Sequence, residues 1–265
     1  MRARACSLAA AFTLCAAHSA LAADDADALA KKLANPVAAM ISVPFQFNAD
    51  FGGGPDGGVE SYNLKAQAVI PFHLSPEWNV ISRTIVPLAG VSGLPGGDVW
   101  GLSDTTQSFY LSPSTPNPNG IVWGIGPSFL IPTATDEAIG SGKWGAGPTG
   151  LILRQSGPLS VGILATQTWS FAGDADRPDV NTTFVQPFMS YALGGGRTVS
   201  LNSETTYDWT AGQWTVPINL SFSKVFHVNN QAMSWMVGGR VYVAKPDGGP
   251  DWGVRAGLTF LFPEK

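Results

Sequence analysis

The chain has 265 residues, 15 of them basic and 19 acidic, and charged residues make up only 13% of it, about half of the roughly 25% typical of soluble domains. An acidic balance so poor in cations excludes nucleic acid as a partner. Beyond the N-terminal run, no stretch approaches the roughly 18 unbroken apolar residues of a spanning helix, so low charge points to strands instead.

Arg2 and Arg4 precede an Ala-rich apolar run from Ser7 to Ala17, and Ala20-Leu21-Ala22 supplies the small-x-small cleavage site of a secretory signal. Residues 1–22 are therefore expected to be removed. The mature chain then keeps 13 basic against 19 acidic residues, a charge of −6, and loses both Cys6 and Cys15. With no cysteine left, neither a disulfide nor a thiolate metal site can form. Phe12-Thr13-Leu14 lacks the small residue that lipid attachment at Cys15 would need. Residues 23–39 read as a short periplasmic segment, with Ala26 to Ala34 as a helical stretch ended by Pro36.

From Met40 the pattern changes to period two. The first strand is expected over Met40 to Asp50, the second over Ser61 to Phe72, where Tyr62, Leu64, Ala66 and Ala68 alternate with Asn63, Lys65 and Gln67. Further strands follow at Trp78–Leu88, Leu102–Leu111, Ile121–Ile131, Trp144–Arg154, Leu159–Phe171, Thr182–Leu193, Thr198–Trp209, Trp214–Phe226 and Ala232–Ala244. Pro71, Pro127, Pro148, Pro187 and Pro217 lie inside these runs and disfavour long helices. In the closing strand every second residue from Trp252 to Phe262 is apolar, over the length of about 9 to 11 residues that a membrane-crossing strand needs. Twelve strands put both chain ends on one side, with mostly short turns there and mostly longer loops opposite, as in outer-membrane barrels. Residues 40–265 are thus predicted to form an all-β, twelve-stranded antiparallel transmembrane barrel of the bacterial outer membrane.

Tryptophan placement supports this reading, because amphipathic rings collect where headgroups meet hydrocarbon. Trp100, Trp144, Trp169, Trp209, Trp214 and Trp252 map to the outer strand ends, and Trp78, Trp123 and Trp235 to the inner ends. The terminal aromatics Phe260 and Phe262 are the expected signal for the barrel assembly machinery.

Gly101-Leu-Ser-Asp104, Gln107-Ser-Phe-Tyr-Leu-Ser-Pro113, Gly124 to Thr135, Gly140 to Pro148 and Lys245-Pro-Asp-Gly-Gly-Pro-Asp-Trp252 resemble the outer-membrane barrels labelled "MetA-pathway of phenol degradation". The resemblance runs from about Ala38 to the end. It implies a transporter or channel with a role in uptake of aromatic compounds. Pro263-Glu-Lys265 after the terminal aromatic departs from the usual closing pattern.

Little in the sequence points to catalysis. Gly140-Ser-Gly-Lys-Trp-Gly145 matches G-x-G-x-x-G in letters but opens no helix, so the dinucleotide mechanism is missing. His73 and His227 fall in inner turns without ligands at metal spacing, and a Ser-His-Asp hydrolase of the outer leaflet would need a histidine at the outer rim. No enzyme, metal or cofactor is expected. Asp136, Glu137, Asp174, Asp176 and Asp179 fall in outer loops, solvated or bridged to lipopolysaccharide by divalent ions.

The expected function is a channel for small solutes; the rival is a structural or adhesive barrel acting through its loops. Strand alternation sends Lys65, Arg83, Arg240 and Arg255 inward onto one wall, with Glu204 further round and Asp104 near the outer rim. A lumen of twelve strands lies between the filled barrels of about eight and the wide pores of about sixteen. Cations in excess there predict attraction of small anions.

Overall fold

The computed structural model describes residues 25–262; the predicted signal segment and the last three residues lie outside them. Fourteen strands follow a short helix over residues 25–33: β1 (Ile41–Gly53), β2 (Val59–His73), β3 (Trp78–Ser92), β4 (Val99–Leu102), β5 (Thr105–Pro113), β6 (Ile121–Ile131), β7 (Lys143–Ser156), β8 (Leu159–Gly173), β9 (Asn181–Gly194), β10 (Arg197–Ser203), β11 (Thr205–Asp208), β12 (Gln213–Val228), β13 (Gln231–Ala244) and β14 (Trp252–Phe262). β4 with β5, and β10 with β11, are single crossings interrupted once, so the wall has twelve staves. Every neighbour is antiparallel, and β14 pairs β1 from Phe51↔Trp252 to Ile41↔Phe262. That closure leaves no edge, the condition for a sheet in lipid.

The two interruptions differ. β3 meets β4 as Leu88↔Leu102 but β5 as Ile85↔Thr106, a one-residue slip that swaps the inward and outward faces. Asp104 sits at the slip and accepts hydrogen bonds from the Ala134 and Ser141 backbone and the Ser141 hydroxyl, tying it to the outer loop over residues 132–142. At Glu204 no slip occurs, because β10 and β11 keep one register with β9 and β12. Pro127 and Pro148 face each other across β6 and β7. Pairing skips beside them, between Ser108↔Ser128 and Leu111↔Ile125 and between Ala146↔Trp169 and Thr149↔Thr166, as prolines without N–H require.

Outward positions carry the exposed apolar side chains, among them Phe47, Leu64, Ile125, Ile152, Ile163, Leu220, Val241 and Val254. Trp100, Trp123, Trp144, Trp169, Trp209, Trp214 and Trp252 are exposed on that face, and Trp78 and Trp235 are half-buried. Trp78 meets Trp123 edge-on at 5.8 Å, Trp235 packs on Phe222 at 5.6 Å, and Tyr207 joins Trp209 and Trp214 at 4.7 and 4.6 Å. Phe260 packs edge-on against Phe45, and Phe262 is exposed.

The core lies inside the barrel, at the end that carries the chain termini. Val69, Ile81, Tyr110, Val122, Leu151, Leu153 and Leu164 point inward there and close around Val37. On the opposite side Val225, Ala232 and Leu261 receive Ala26, Leu29, Ala30 and Met40. The N-terminal residues 25–40 therefore fill the inner mouth of the barrel. Ala26, Leu29, Ala30 and Leu33 follow the i, i+3, i+4, i+7 spacing of one helical face. Asp27 accepts a hydrogen bond from the Gly196 backbone at 2.6 Å, Gln155 donates to the Lys31 carbonyl at 3.0 Å, and His227 lies 3.4 Å from Asp25. Pro36 ends the helix, as the sequence predicts.

Candidate functional site

The lumen outside this plug holds a network of charges. Arg255 donates through Nη2 to Glu204 Oε1 at 2.6 Å and through Nε to Asn48 Oδ1 at 3.0 Å. Arg240 lies 3.5 Å from Glu204 and 3.2 Å from Asp50, and donates to Asn48, Asn219 and the Tyr242 hydroxyl. Its guanidinium also stands over the Tyr242 ring at 5.9 Å. Gly253 makes room for this pair, since a Cβ there would lie 2.1 Å from Asp50 Oδ1. Lys65 reaches Glu204 at 3.9 Å from β2.

These contacts revise the expected arrangement of the site. Glu204 does not stand apart from the basic wall; it crosses the lumen from the break between β10 and β11 and meets three of its cations. Arg240 and Arg255 are buried at 8% and 5% exposure and each keeps a carboxylate partner, because a buried charge left unpaired is costly. Asp50, absent from the expected set, shares their inward face; in period-two alternation it follows from Asn48 two residues earlier.

Arg83 is placed differently. Its Nε and Nη2 donate to Gln67 Oε1 at 3.2 and 3.0 Å, and it makes no ion pair among the described residues. Arg83 and Lys65 line a chamber of about 610 Å³ that runs from Leu33, Pro36 and Met40 of the plug to Val180 in the outer loop. Its other charged lining groups are Lys32 and Glu204. Three cations thus face one carboxylate, which Arg255 and Arg240 already hold. Much of the remaining wall is polar and uncharged, including Gln46, Gln67, Ser108, Ser128, Thr166, Thr182 and Gln186, while Val69, Ile85, Leu164 and Phe184 are among its apolar residues.

A second cavity of about 370 Å³ lies at the inner mouth, between the helix and the wall, bordered by Asp27, Lys31, Ser160, Ser190 and Thr198. Phe188 stands between the two along β9. A Cβ on Gly162 would lie 2.5 Å from the Phe188 ring, so the ring packs on that glycine and against the apolar core.

The outer-loop acids are largely engaged within the loops. Arg177 pairs with Glu137 at 3.7 Å and donates to the Glu137 and Gly140 carbonyls, while Lys143 pairs with Asp179 at 3.2 Å. Gly140 to Gly145 leads straight into β7 without a helix. His73 sits at the inner end of β2, hydrogen-bonded to Asn79.

A closed twelve-stave wall with an apolar exterior is the fold of the bacterial outer-membrane β-barrels. The structure is similar to that of an outer membrane channel from Pseudomonas putida F1, with a TM-score of 0.66 at 15% identity over 86% of this chain and 96% of that one. It is also similar to the NanC porin, with a TM-score of 0.51 at 11% identity over 83% of this chain and 98% of that one. At these identities the likeness speaks to the fold. No protein-family model and no curated protein matches the chain, so the phenol-degradation resemblance rests on the short runs quoted above.

Proposed function

We propose that this protein is an outer-membrane channel for small solutes with a preference for small anions. The observation that carries this reading is the lumenal chamber, whose lining holds three cations against one carboxylate that Arg240 and Arg255 also hold. In a confined space such an excess focuses anions and repels cations. The plug narrows the inner mouth, and Phe188 stands between the chamber and the smaller cavity beside the plug. Export through a cleaved signal, contact of the apolar belt with lipid and lipopolysaccharide, and insertion by the barrel assembly machinery through Phe260 and Phe262 belong to the same reading.

Single-channel recording in planar bilayers tests it. In a potassium chloride gradient the native barrel should conduct with a reversal potential displaced toward that of chloride, and Lys65→Ala with Arg83→Ala should reduce the displacement. A silent barrel, cation selectivity, or an unchanged reversal potential in the double variant would refute the proposal.

A further inference from the structure

The chamber has more than an excess of charge, because its cations are unequally committed. Arg240 and Arg255, outside its lining, are held by Glu204, Asp50 and Asn48, and of the lining cations Lys65 is only loosely paired at 3.9 Å. Among the described residues Arg83 has one partner, the neutral Gln67, which engages the Nε side of the guanidinium. A guanidinium carries five N–H donors in a rigid fork. Gln67 fixes the plane of the group while the Nη1 edge makes no hydrogen bond among the described residues. The Nη1–Nη2 edge thus keeps N–H donors that can hydrogen-bond both oxygens of a carboxylate.

The surroundings define the rest of the guest. Val69 pairs with Arg83 across β2 and β3, and Gln67 and Lys65 follow on the same inward face, so a polar, cationic patch stands above an apolar floor. Leu164 and Phe184, on β8 and β9 across the lumen, also line the chamber, as does Tyr110. At about 610 Å³ the space falls within the roughly 300–1,000 Å³ of small-molecule sites.

We infer that the chamber is a stoichiometric binding site for a small monocarboxylate with an apolar body, with Arg83 as the receptor of the carboxylate and the half-buried Ile85 and Phe184 receiving the body. This deepens the channel reading and rests on it for the route of access: the channel selects its solute by binding rather than by size alone.

Isothermal titration of the whole barrel in detergent at low salt tests the inference, with sodium benzoate, sodium acetate and benzyl alcohol as probes. One benzoate should bind per barrel, with acetate and benzyl alcohol at least tenfold weaker. Arg83→Gln should weaken benzoate binding at least tenfold, and Arg83→Lys by less. Acetate or benzyl alcohol equal to benzoate, no saturable benzoate binding, or unchanged affinity in a heat-modifiable Arg83→Gln barrel would overturn it. Should Arg83→Gln not fold, the comparison of the three probes on the native protein still decides. Conductance without benzoate binding sinks the site and leaves the channel; benzoate binding by a barrel silent in bilayers does the reverse.

Discussion

Inside the barrel, the half near the chain termini and the half near the long loops meet the problem of an interior in opposite ways. Near the termini, inward positions such as Ile81, Leu153 and Leu261 are apolar and buried to within 1%. A cylinder lined this way gains by excluding water, and the chain's own residues 25–40 fill it. Near the loops, Asn48, Asp50, Glu204, Asn219, Arg240 and Arg255 pair with one another and leave a polar space that solvent or a solute can occupy. The difference shows how one wall combines a plug with a chamber: along a single strand, β2, the inward face changes from Lys65 and Gln67 to Val69 within a few residues.

The sharpest way to break the comparison is to remove what fills the apolar half. Burial of Leu29, Val37 and Met40 stabilises the docked plug by roughly 4.5–9 kcal/mol at about 1.5–3 kcal/mol per side chain, an upper estimate. Deleting residues 25–39 should leave a heat-modifiable barrel whose single-channel conductance rises several-fold; Leu29→Asp should do the same in part. Unchanged conductance in both variants would mean that this segment does not restrict the inner mouth.

The polar half should respond in a different measurement. Glu204→Ala leaves Arg240 and Arg255 without their shared carboxylate, and breaking a buried pair typically costs about 3–5 kcal/mol. The temperature at which the folded barrel shifts to its unfolded gel position should fall clearly, while the plug stays in place. A smaller effect is expected at the step between the halves: Phe188→Ala joins the two cavities beside Gly162 and should raise conductance without changing ion preference. An altered reversal potential would place Phe188 in the selectivity mechanism instead.

Much of the wall could be read in the sequence because one face meets lipid and period two survives there. The even count and the closing strand from Trp252 to Phe262 followed from that pattern. The plug was not read, although its traces are present. In Leu151-Ile152-Leu153 the outward Ile152 is 50% exposed on the apolar outer face while both neighbours are buried in the core, so alternation gives way to a continuous apolar run with the plug against its inner face. The helical spacing of Ala26, Leu29, Ala30 and Leu33 calls for an apolar surface to cover it, and the inward face of those runs supplies one. The reach of Glu204 across the lumen could not be read, since it depends on barrel diameter and side-chain conformation rather than on strand alternation. Inward cations were legible one by one; which of them are already committed was not.

The smallest effect belongs outside both halves, in the loop over residues 174–180, and separates loop order from barrel stability. Hydrogen bonds from Lys143 and Ser170 hold the Asp179 carboxyl below the usual carboxylate range. A group whose pKa is depressed on folding contributes stability above its unfolded value, about 3.9 for aspartate, and loses it as pH falls through the folded value. Asp179 is 81% exposed at its side chain, so solvent screens the pair and the contribution stays within the loop. An NMR titration of the Asp179 carboxyl should show a midpoint below that of free aspartate. Lys143→Met should move the midpoint back toward the free value, with a smaller change in barrel unfolding temperature than Glu204→Ala causes. A native midpoint at or above the free value would remove this pair from the order of the loop, and a drop in barrel stability as large as that of Glu204→Ala would show that loop and lumen are not independent.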